Sequence, residues 1–118
     1  MTAESLSVAM VTVDCADPDG LAAWWCTAVG GEVHPAAPGE FVVLVRANGP
    51  RLGFQRVDHP TPGKNRVHVD FVSSDPEAEA DRLIALGAIE TSRHGVEPNP
   101  RWVVLEDPAG NAFCVGAE

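Results

Sequence analysis

The chain has 118 residues, of which 45% are hydrophobic and 21% charged, a composition typical of a single soluble globular domain. Seventeen acidic against eight basic side chains give a net charge of −9, which argues against nucleic acid or an anionic membrane as a partner, because both need clustered cations. The three cysteines are an odd number with no short-spaced pair, which indicates neither a disulfide framework nor a structural zinc site. Since no leader-like or membrane-spanning apolar run is present, we expect a cytoplasmic protein with reduced thiols.

The first half of the chain reads as a strand, a helix and three further strands. A strand rich in Val and Thr over 6–14 leads to Asp17-Pro18, where Asp17 can cap a helix and Pro18 suits its first turn. Gly30 or Gly31 supplies the stop of that helix. Strands are predicted over 32–34, 41–46 and 51–57, with the proline-rich segment 34–39 as a loop. The helical spacing predicts a buried stripe formed by Leu21, Trp24, Trp25, Ala28 and Val29.

The second half repeats this order after a linker over 58–65, which contains two prolines and a glycine. A strand over 66–72 leads to Asp75-Pro76, which begins a helix that ends at Gly87. Three more strands are predicted, with a loop over 94–101 and a turn over 107–110. Their ranges are 89–92, 102–106 and 111–115.

The two halves match as copies of one unit. The two Asp-Pro pairs are 58 residues apart, Phe41 and Trp102 are 61 apart, and Phe54 and Phe113 are 59 apart. This repeat predicts an α+β fold of two tandem βαβββ modules, about 5–57 and 66–117, within a single domain 1–118. Because each module is too small for a comfortable core of its own, we expect the two to pack together and enclose a cavity.

Three segments carry a resemblance to a known superfamily. They are Val13-Asp-Cys-Ala-Asp-Pro18 with the Trp24-Trp25 pair, Lys64-Asn-Arg-Val-His-Val-Asp70, and Glu106-Asp-Pro-Ala-Gly-Asn-Ala-Phe-Cys114. The pattern resembles the vicinal oxygen chelate superfamily of glyoxalase I, bleomycin-resistance proteins and extradiol dioxygenases, and most closely its glyoxalase-like domain proteins. The resemblance implies a curved mixed sheet around a central cavity, helices on the outside, and a homodimer.

Many members of that superfamily hold a divalent metal, with one ligand from the first strand and one from the last strand of each module. Carried over to this chain, those positions are Met10, Gln55, His68 and Cys114. Only His68 is a usual ligand, because a thioether is soft and an amide carbonyl is neutral. Cys114 could bind zinc as a thiolate, but a cysteine in a strand is more often a small apolar filler. We therefore expect no resident metal and no other cofactor.

His68 has two interpretations. It is either a structural histidine, packed between the modules or hydrogen-bonded to a neighbouring hydroxyl or backbone group, or a hydrogen-bonding or general-base group that faces the cavity. Asp70 lies two residues further, on the same strand face, and could orient the imidazole. A nucleophilic pair of Cys114 and His68 lacks an identifiable oxyanion or orienting group, so no catalytic residue is assigned. The residues predicted to bind a ligand are Met10, Thr12, Gln55, His68, Asp70, Trp102 and Cys114.

Three functions follow from these patterns. The first is a small-molecule-binding protein with a metal-independent cavity, whose ligand the sequence does not name. The alternative is a metal-dependent lyase, isomerase or dioxygenase that uses His68, Gln55 and Cys114. The third is a non-catalytic interaction module, since paired modules of this kind often assemble between chains.

Overall fold

A computed structural model describes residues 7–63, 65, 67–95 and 101–118, which form two βαβββ modules. The predicted α+β fold is therefore confirmed. The chain divides into two compact units between Pro60 and Thr61, within the predicted linker, and neither sheet closes into a barrel. Unit one contains β1 (Met10–Cys15), α1 (Pro18–Val29), β2 (Glu32–Ala37), β3 (Phe41–Val45) and β4 (Arg51–Arg56). Unit two contains β5 (Val69–Ser73), α2 (Pro76–Ala85), β6 (Ile89–His94), β7 (Trp102–Glu106) and β8 (Ala112–Ala117).

Each unit holds one four-stranded mixed sheet, with strand order β1-β4-β3-β2 in unit one and β5-β8-β7-β6 in unit two. The first and last strands of each module pair in parallel, and the other neighbours pair antiparallel. Parallel pairing requires a crossover, and the helix that follows the first strand begins it. The same topology in both units confirms the internal repeat.

Both helices begin where the Asp-Pro pairs predict. The side chain of Asp17 accepts a hydrogen bond from Gly20 N at 3.1 Å, and that of Asp75 accepts one from Ala78 N at 3.1 Å. Each cap satisfies one of the backbone donors that a helix start leaves without a partner. The first helix ends at Gly30, whose φ of 79° is readily adopted by glycine.

Each helix packs on one face of its sheet and builds a core there. In unit one, α1 buries Leu21 and Trp25 on the side of the sheet that carries Phe54. In unit two, α2 buries Leu83 on the side that carries Phe113. The opposite face of each sheet has no helix against it, and we call it the helix-free face. Of the predicted stripe on α1, Trp24 and Val29 are half-buried, since they lie at its margin.

Two strands run into segments that were predicted as loops. β2 continues through Pro35 to Ala37, where 34–39 was predicted as a loop. The pairing of β2 with β3 shifts between His34 and Ala37, and proline is tolerated in such an irregular edge strand. β6 likewise extends to His94 instead of ending at Ser92. The predicted strand over 66–72 begins at Val69, and the predictions on Lys64, Arg66 and 96–100 lie outside the described residues. Within the described part of the chain, neither helix is long and apolar enough to cross a bilayer.

Candidate functional site

The helix-free face of unit one is centred on a glycine. Gly53 pairs with Thr12 on one side and with Val43 on the other. A Cβ atom at Gly53 would lie 2.8 Å from Thr12 Oγ1, 3.0 Å from Met10 Sδ and 3.3 Å from Phe41 Cε1. Three side chains therefore converge over the glycine and offer apolar surface with a single hydroxyl group.

Gln55 does not join this group around the glycine. It pairs with Asp14, four residues along the parallel strands from the pair of Met10 and Arg51, which separates the two rows by roughly 13 Å of backbone. Its Nε2 donates a hydrogen bond to the carbonyl oxygen of Glu40 at 3.2 Å. The amide is thus directed away from Gly53, so Gln55 and Met10 do not form one pair of ligands.

The helix-free face of unit two carries three chemically reactive side chains at the corresponding place. Asp70 pairs directly with Cys114, so both side chains lie on the same face. His68 Nε2 lies 3.3 Å from Asp70 Oδ1, as their spacing predicts. One donor atom from each of His68, Asp70 and Cys114 lies within 4.8 Å of the others. Cys114 is buried, whereas the side chains of His68 and Asp70 are 42% and 67% exposed.

Asn65 holds the strand segments that carry this cluster, a role that the sequence did not reveal. Ala112 N donates to Asn65 Oδ1 at 2.7 Å, and Asn65 Nδ2 donates to the carbonyl oxygen of Ala112 at 3.3 Å. The same amide nitrogen donates to the carbonyl oxygen of Val67. The side chain thus ties the segment before His68 to the start of β8, two residues before Cys114. The sequence places Asn65 in a linker, and only its occurrence in the 64–70 motif pointed to it.

The turn before β8 is organised by a buried carboxylate. Asp107 is 2% exposed, and its Oδ1 accepts hydrogen bonds from Ala109 N at 2.9 Å, Asn111 N at 2.9 Å and Asn111 Nδ2 at 3.1 Å. Gly110 takes the positive φ of 87° that the turn needs. The residue types of this turn therefore fix the direction in which β8 leaves it.

An aromatic pair lies further along the same face of unit two. The rings of His94 and Trp102 stack with centroids 4.6 Å apart and planes 19° apart, and His94 Nε2 lies 2.8 Å from Ser92 Oγ. Trp102 is 38% exposed and pairs with Gly116, which has no side chain to cover it. The sequence indicated Trp102 but placed His94 in a loop, because the end of β6 carries no turn signal that separates the two.

The pairing also corrects the repeat near the end of each module. Thr12 and Asp70 are 58 residues apart, as are the Asp-Pro pairs, and their partners are Gly53 and Cys114. Cys114 thus corresponds to Gly53, and Gly116 corresponds to Gln55. The offset of 59 from Phe54 to Phe113 was wrong. Both strands contain a Phe followed by a polar residue, but Phe113 lies two positions earlier in β8 than Phe54 does in β4.

The model of the glyoxalase-like domain family matches residues 10–116. The chain belongs to this family. No match was found among curated proteins.

Solved structures share the fold of this glyoxalase-like domain protein. A glyoxalase/bleomycin resistance protein/dioxygenase family enzyme from Burkholderia phytofirmans PsJN has a TM-score of 0.80 at 17% identity, covering 95% of this chain and 98% of that one. Lactoylglutathione lyase from Agrobacterium tumefaciens has a TM-score of 0.69 at 23% identity, covering 94% and 92%. The bleomycin-binding protein of Streptomyces verticillus has a TM-score of 0.67 at 20% identity, covering 96% and 97%.

The donors present on the two faces decide how well a divalent metal fits. In unit one, a thioether, a hydroxyl and a glycine occupy the place that corresponds to the cluster, and these groups hold such an ion poorly. In unit two, the imidazole, carboxylate and thiol are all established zinc ligands. A metal shared by four positions, two from each module, is therefore not supported by the residues of unit one. Within the described residues, His68, Asp70 and Cys114 are the grouped donors that could hold such an ion.

Proposed function

We propose that this glyoxalase-like domain protein binds small organic molecules on the helix-free face of each unit, through direct side-chain contacts that need no bridging metal. The observation that carries this proposal is the convergence of Met10, Thr12 and Phe41 over Gly53. The side chains that pack over this glycine present apolar atoms and one hydroxyl, a surface that favours an apolar ligand with a polar group that fixes its orientation. These residues hold divalent ions poorly, so a metal would not occupy the place of the small molecule.

Trp102 supplies a separate contact surface on unit two. Its indole is partly exposed, and the imidazole of His94 stacked against it limits its rotation. An ordered aromatic face binds planar apolar groups at low entropic cost. The bleomycin-binding protein of Streptomyces verticillus, which has the same fold, is by name a small-molecule binder, and this supports the proposal.

A fragment library screened by amide NMR in the presence of EDTA tests this function. Shift changes should appear at Thr12, Gly53 and Trp102, and Trp102→Ala should weaken binding of fragments that perturb residue 102 by about tenfold. Trp24→Phe, on the first helix, is the matched control and should leave affinity unchanged. Fragment binding that is confined to the helices, or that requires added metal, would contradict the proposal.

A metal-dependent lyase, isomerase or dioxygenase is the second candidate, favoured by the cluster of His68, Asp70 and Cys114. In that case, turnover of a substrate would require added metal and would be abolished by His68→Ala. Binding of fragments in EDTA without any metal-dependent turnover would leave the first proposal as the better account.

We also propose a location and an assembly for the protein. All three cysteines lie in the described part of the chain and none is in a disulfide, as expected in the reducing cytoplasm. The family resemblance favours a homodimer. Light scattering of the purified protein would give twice the 12.5 kDa chain mass for a homodimer, and the chain mass itself would contradict it.

A further inference from the structure

We infer that the protein deamidates itself at Asn48, in a reaction of the turn between β3 and β4 that needs only water. The side-chain amide of Asn48 leaves as ammonia, and an aspartate or an isoaspartate takes its place. Asn48 and Gly49 are both exposed, and they lie in the segment 46–50 that joins the two strands. This modification site is separate from the residues proposed above to bind small molecules.

The reaction has two balanced steps. The backbone nitrogen of Gly49 attacks Cγ of Asn48, and the new nitrogen–carbon bond closes a five-membered succinimide ring. The bond from Cγ to Nδ2 breaks, and Nδ2 leaves as ammonia with the proton from the Gly49 nitrogen. Water then adds to one of the two ring carbonyl groups and breaks the bond from that carbon to the ring nitrogen. Addition at Cγ gives aspartate, whereas addition at the main-chain carbonyl carbon gives isoaspartate, whose main chain runs through Cγ.

Both reacting groups of this pair are free to meet. Within the part of the chain that the structure describes, neither the Gly49 nitrogen nor the Asn48 side chain takes part in a hydrogen bond. The next residue is Pro50, which has no N–H and therefore cannot close a hydrogen-bonded turn onto Ala47. Gly49 has no side chain to hinder the approach of Cγ, and its φ of 81° is a conformation that glycine adopts without strain.

The guanidinium group of Arg46 lies beside the reacting pair. A Cβ atom placed on Gly49 would be 3.7 Å from Arg46 Nη1. A cation at this distance stabilises the negative charge that develops on the attacking nitrogen and on the side-chain oxygen of Asn48. The same cation lies close to the place where the product carboxylate forms. Arg46 therefore favours both the attack and its product.

Asn111 shows how the fold prevents the same reaction elsewhere. Its Nδ2 donates hydrogen bonds to both oxygens of Asp107, each at 3.1 Å, which hold the side-chain amide in place. The nitrogen that would attack it, Ala112 N, donates instead to Asn65 Oδ1 at 2.7 Å. The local structure, and not the presence of an asparagine alone, therefore distinguishes Asn48 from Asn111.

The modification changes unit one in charge and in main-chain length. Either product adds one negative charge beside Arg46. Isoaspartate also lengthens the main chain by one methylene group, three residues before β4 begins at Arg51. The protein therefore acquires a second, more acidic covalent form as it ages, which ion-exchange chromatography separates from the original form.

Incubation of the folded, full-length chain in mildly alkaline buffer, followed by peptide mass spectrometry, tests this inference. The peptide that contains Asn48 should gain the mass that separates aspartate from asparagine, while the peptide that contains Asn111 stays unchanged. In water labelled with heavy oxygen, each product should carry one labelled oxygen atom. Asn48→Gln should stop the mass gain, and Gly49→Ala should slow it severalfold, because a side chain hinders the attack. In urea, where Asp107 no longer holds its amide, Asn111 should begin to react as well.

Two variants of Arg46 test the contribution of its charge. Arg46→Gln should slow the reaction, whereas Arg46→Lys should keep most of the rate, and circular dichroism checks that both variants are folded. If Arg46→Gln reacts as fast as the wild type, the role of this cation is overturned. The whole inference is overturned if Asn48 keeps its amide in the folded chain and loses it only in urea, because the fold would then protect this turn. It is equally overturned if Asn111 reacts as fast as Asn48 in the folded protein.

Discussion

Gly53 and Cys114 occupy the same position in the two modules, each paired across the parallel strands with the equivalent residue of the module's first strand. In unit one that residue is Thr12, and neighbouring side chains fill the space above the glycine. In unit two it is Asp70, and a thiol stands beside the carboxylate. One sheet design therefore carries apolar side chains and a hydroxyl in one copy, and a cluster of imidazole, carboxylate and thiol groups in the other.

Adding a side chain at Gly53 should lower the stability of the protein. In Gly53→Ala the new methyl group meets Thr12 Oγ1 at 2.8 Å and Met10 Sδ at 3.0 Å, so we expect the free energy of unfolding in urea to fall by about 1–2 kcal/mol. Gly116→Ala is the control, because its nearest contact would be an ordinary 3.6 Å to Trp102 Cβ. Equal effects of the two substitutions would show that Gly53 is not crowded as described.

Loss of the buried carboxylate in the β7–β8 turn should be more severe. Asp107→Ala leaves the backbone donors of Ala109 and Asn111 without their acceptor, and we expect a loss of about 2–3 kcal/mol in the free energy of unfolding. Asp58→Ala is suitable for comparison, since its side chain is 76% exposed and forms a surface ion pair with Arg56. The account of this turn would be wrong if both variants unfolded at the same urea concentration.

Asn65 should contribute to stability, because it joins two distant segments of unit two. Asn65→Ala removes both hydrogen bonds to Ala112, and we expect the free energy of unfolding to fall by about 1–2 kcal/mol. Asn65→Asp keeps an acceptor for Ala112 N and should lose less. Thr61→Ala, exposed in the segment between the modules, should leave the free energy of unfolding unchanged. An Asn65→Ala protein as stable as the wild type would exclude this role.

The two helix caps should contribute alike. Asp17→Ala and Asp75→Ala each remove the carboxylate oxygen that accepts a hydrogen bond, at 3.1 Å, from a backbone N–H in the first turn of a helix. Each should lower the free energy of unfolding by about 1 kcal/mol. Asn at either position restores an acceptor and should recover most of that loss. If Asn were as destabilising as Ala, capping would not explain the placement of these residues.

The module order and both helices could be predicted from the sequence because local chemistry determines them. Asp17-Pro18 and Asp75-Pro76 each precede apolar residues at helical spacing, and an Asp-Pro pair in that position is a typical helix start. The end of β2 could not be predicted, because Pro35 signals a loop unless the strand is an irregular edge. The partner of Cys114 could not be predicted either. Register depends on pairing between distant strands, and a shift of two residues keeps every side chain on the same face.

His68 and Asp70 were found together from their spacing alone, since alternate residues of one strand share a face. The third member of the cluster and the stacking of His94 on Trp102 depend on β8 and β6, which lie far away in the chain. Asn65 was missed because it lies in a segment that the sequence predicts as a linker. Its side chain there makes hydrogen bonds to the backbone of Ala112 that a neighbouring strand would otherwise make. Long-range contacts of this kind leave no periodic signal in the sequence.

A crystal structure of the reduced protein with a bound fragment, grown in the presence of EDTA, tests most directly the claim that side-chain contacts alone hold a small molecule. We expect the fragment to contact Met10, Thr12 and Phe41 in unit one, or Trp102 in unit two. Fragments bound only on the helices, or bound only when a metal is added, would contradict it.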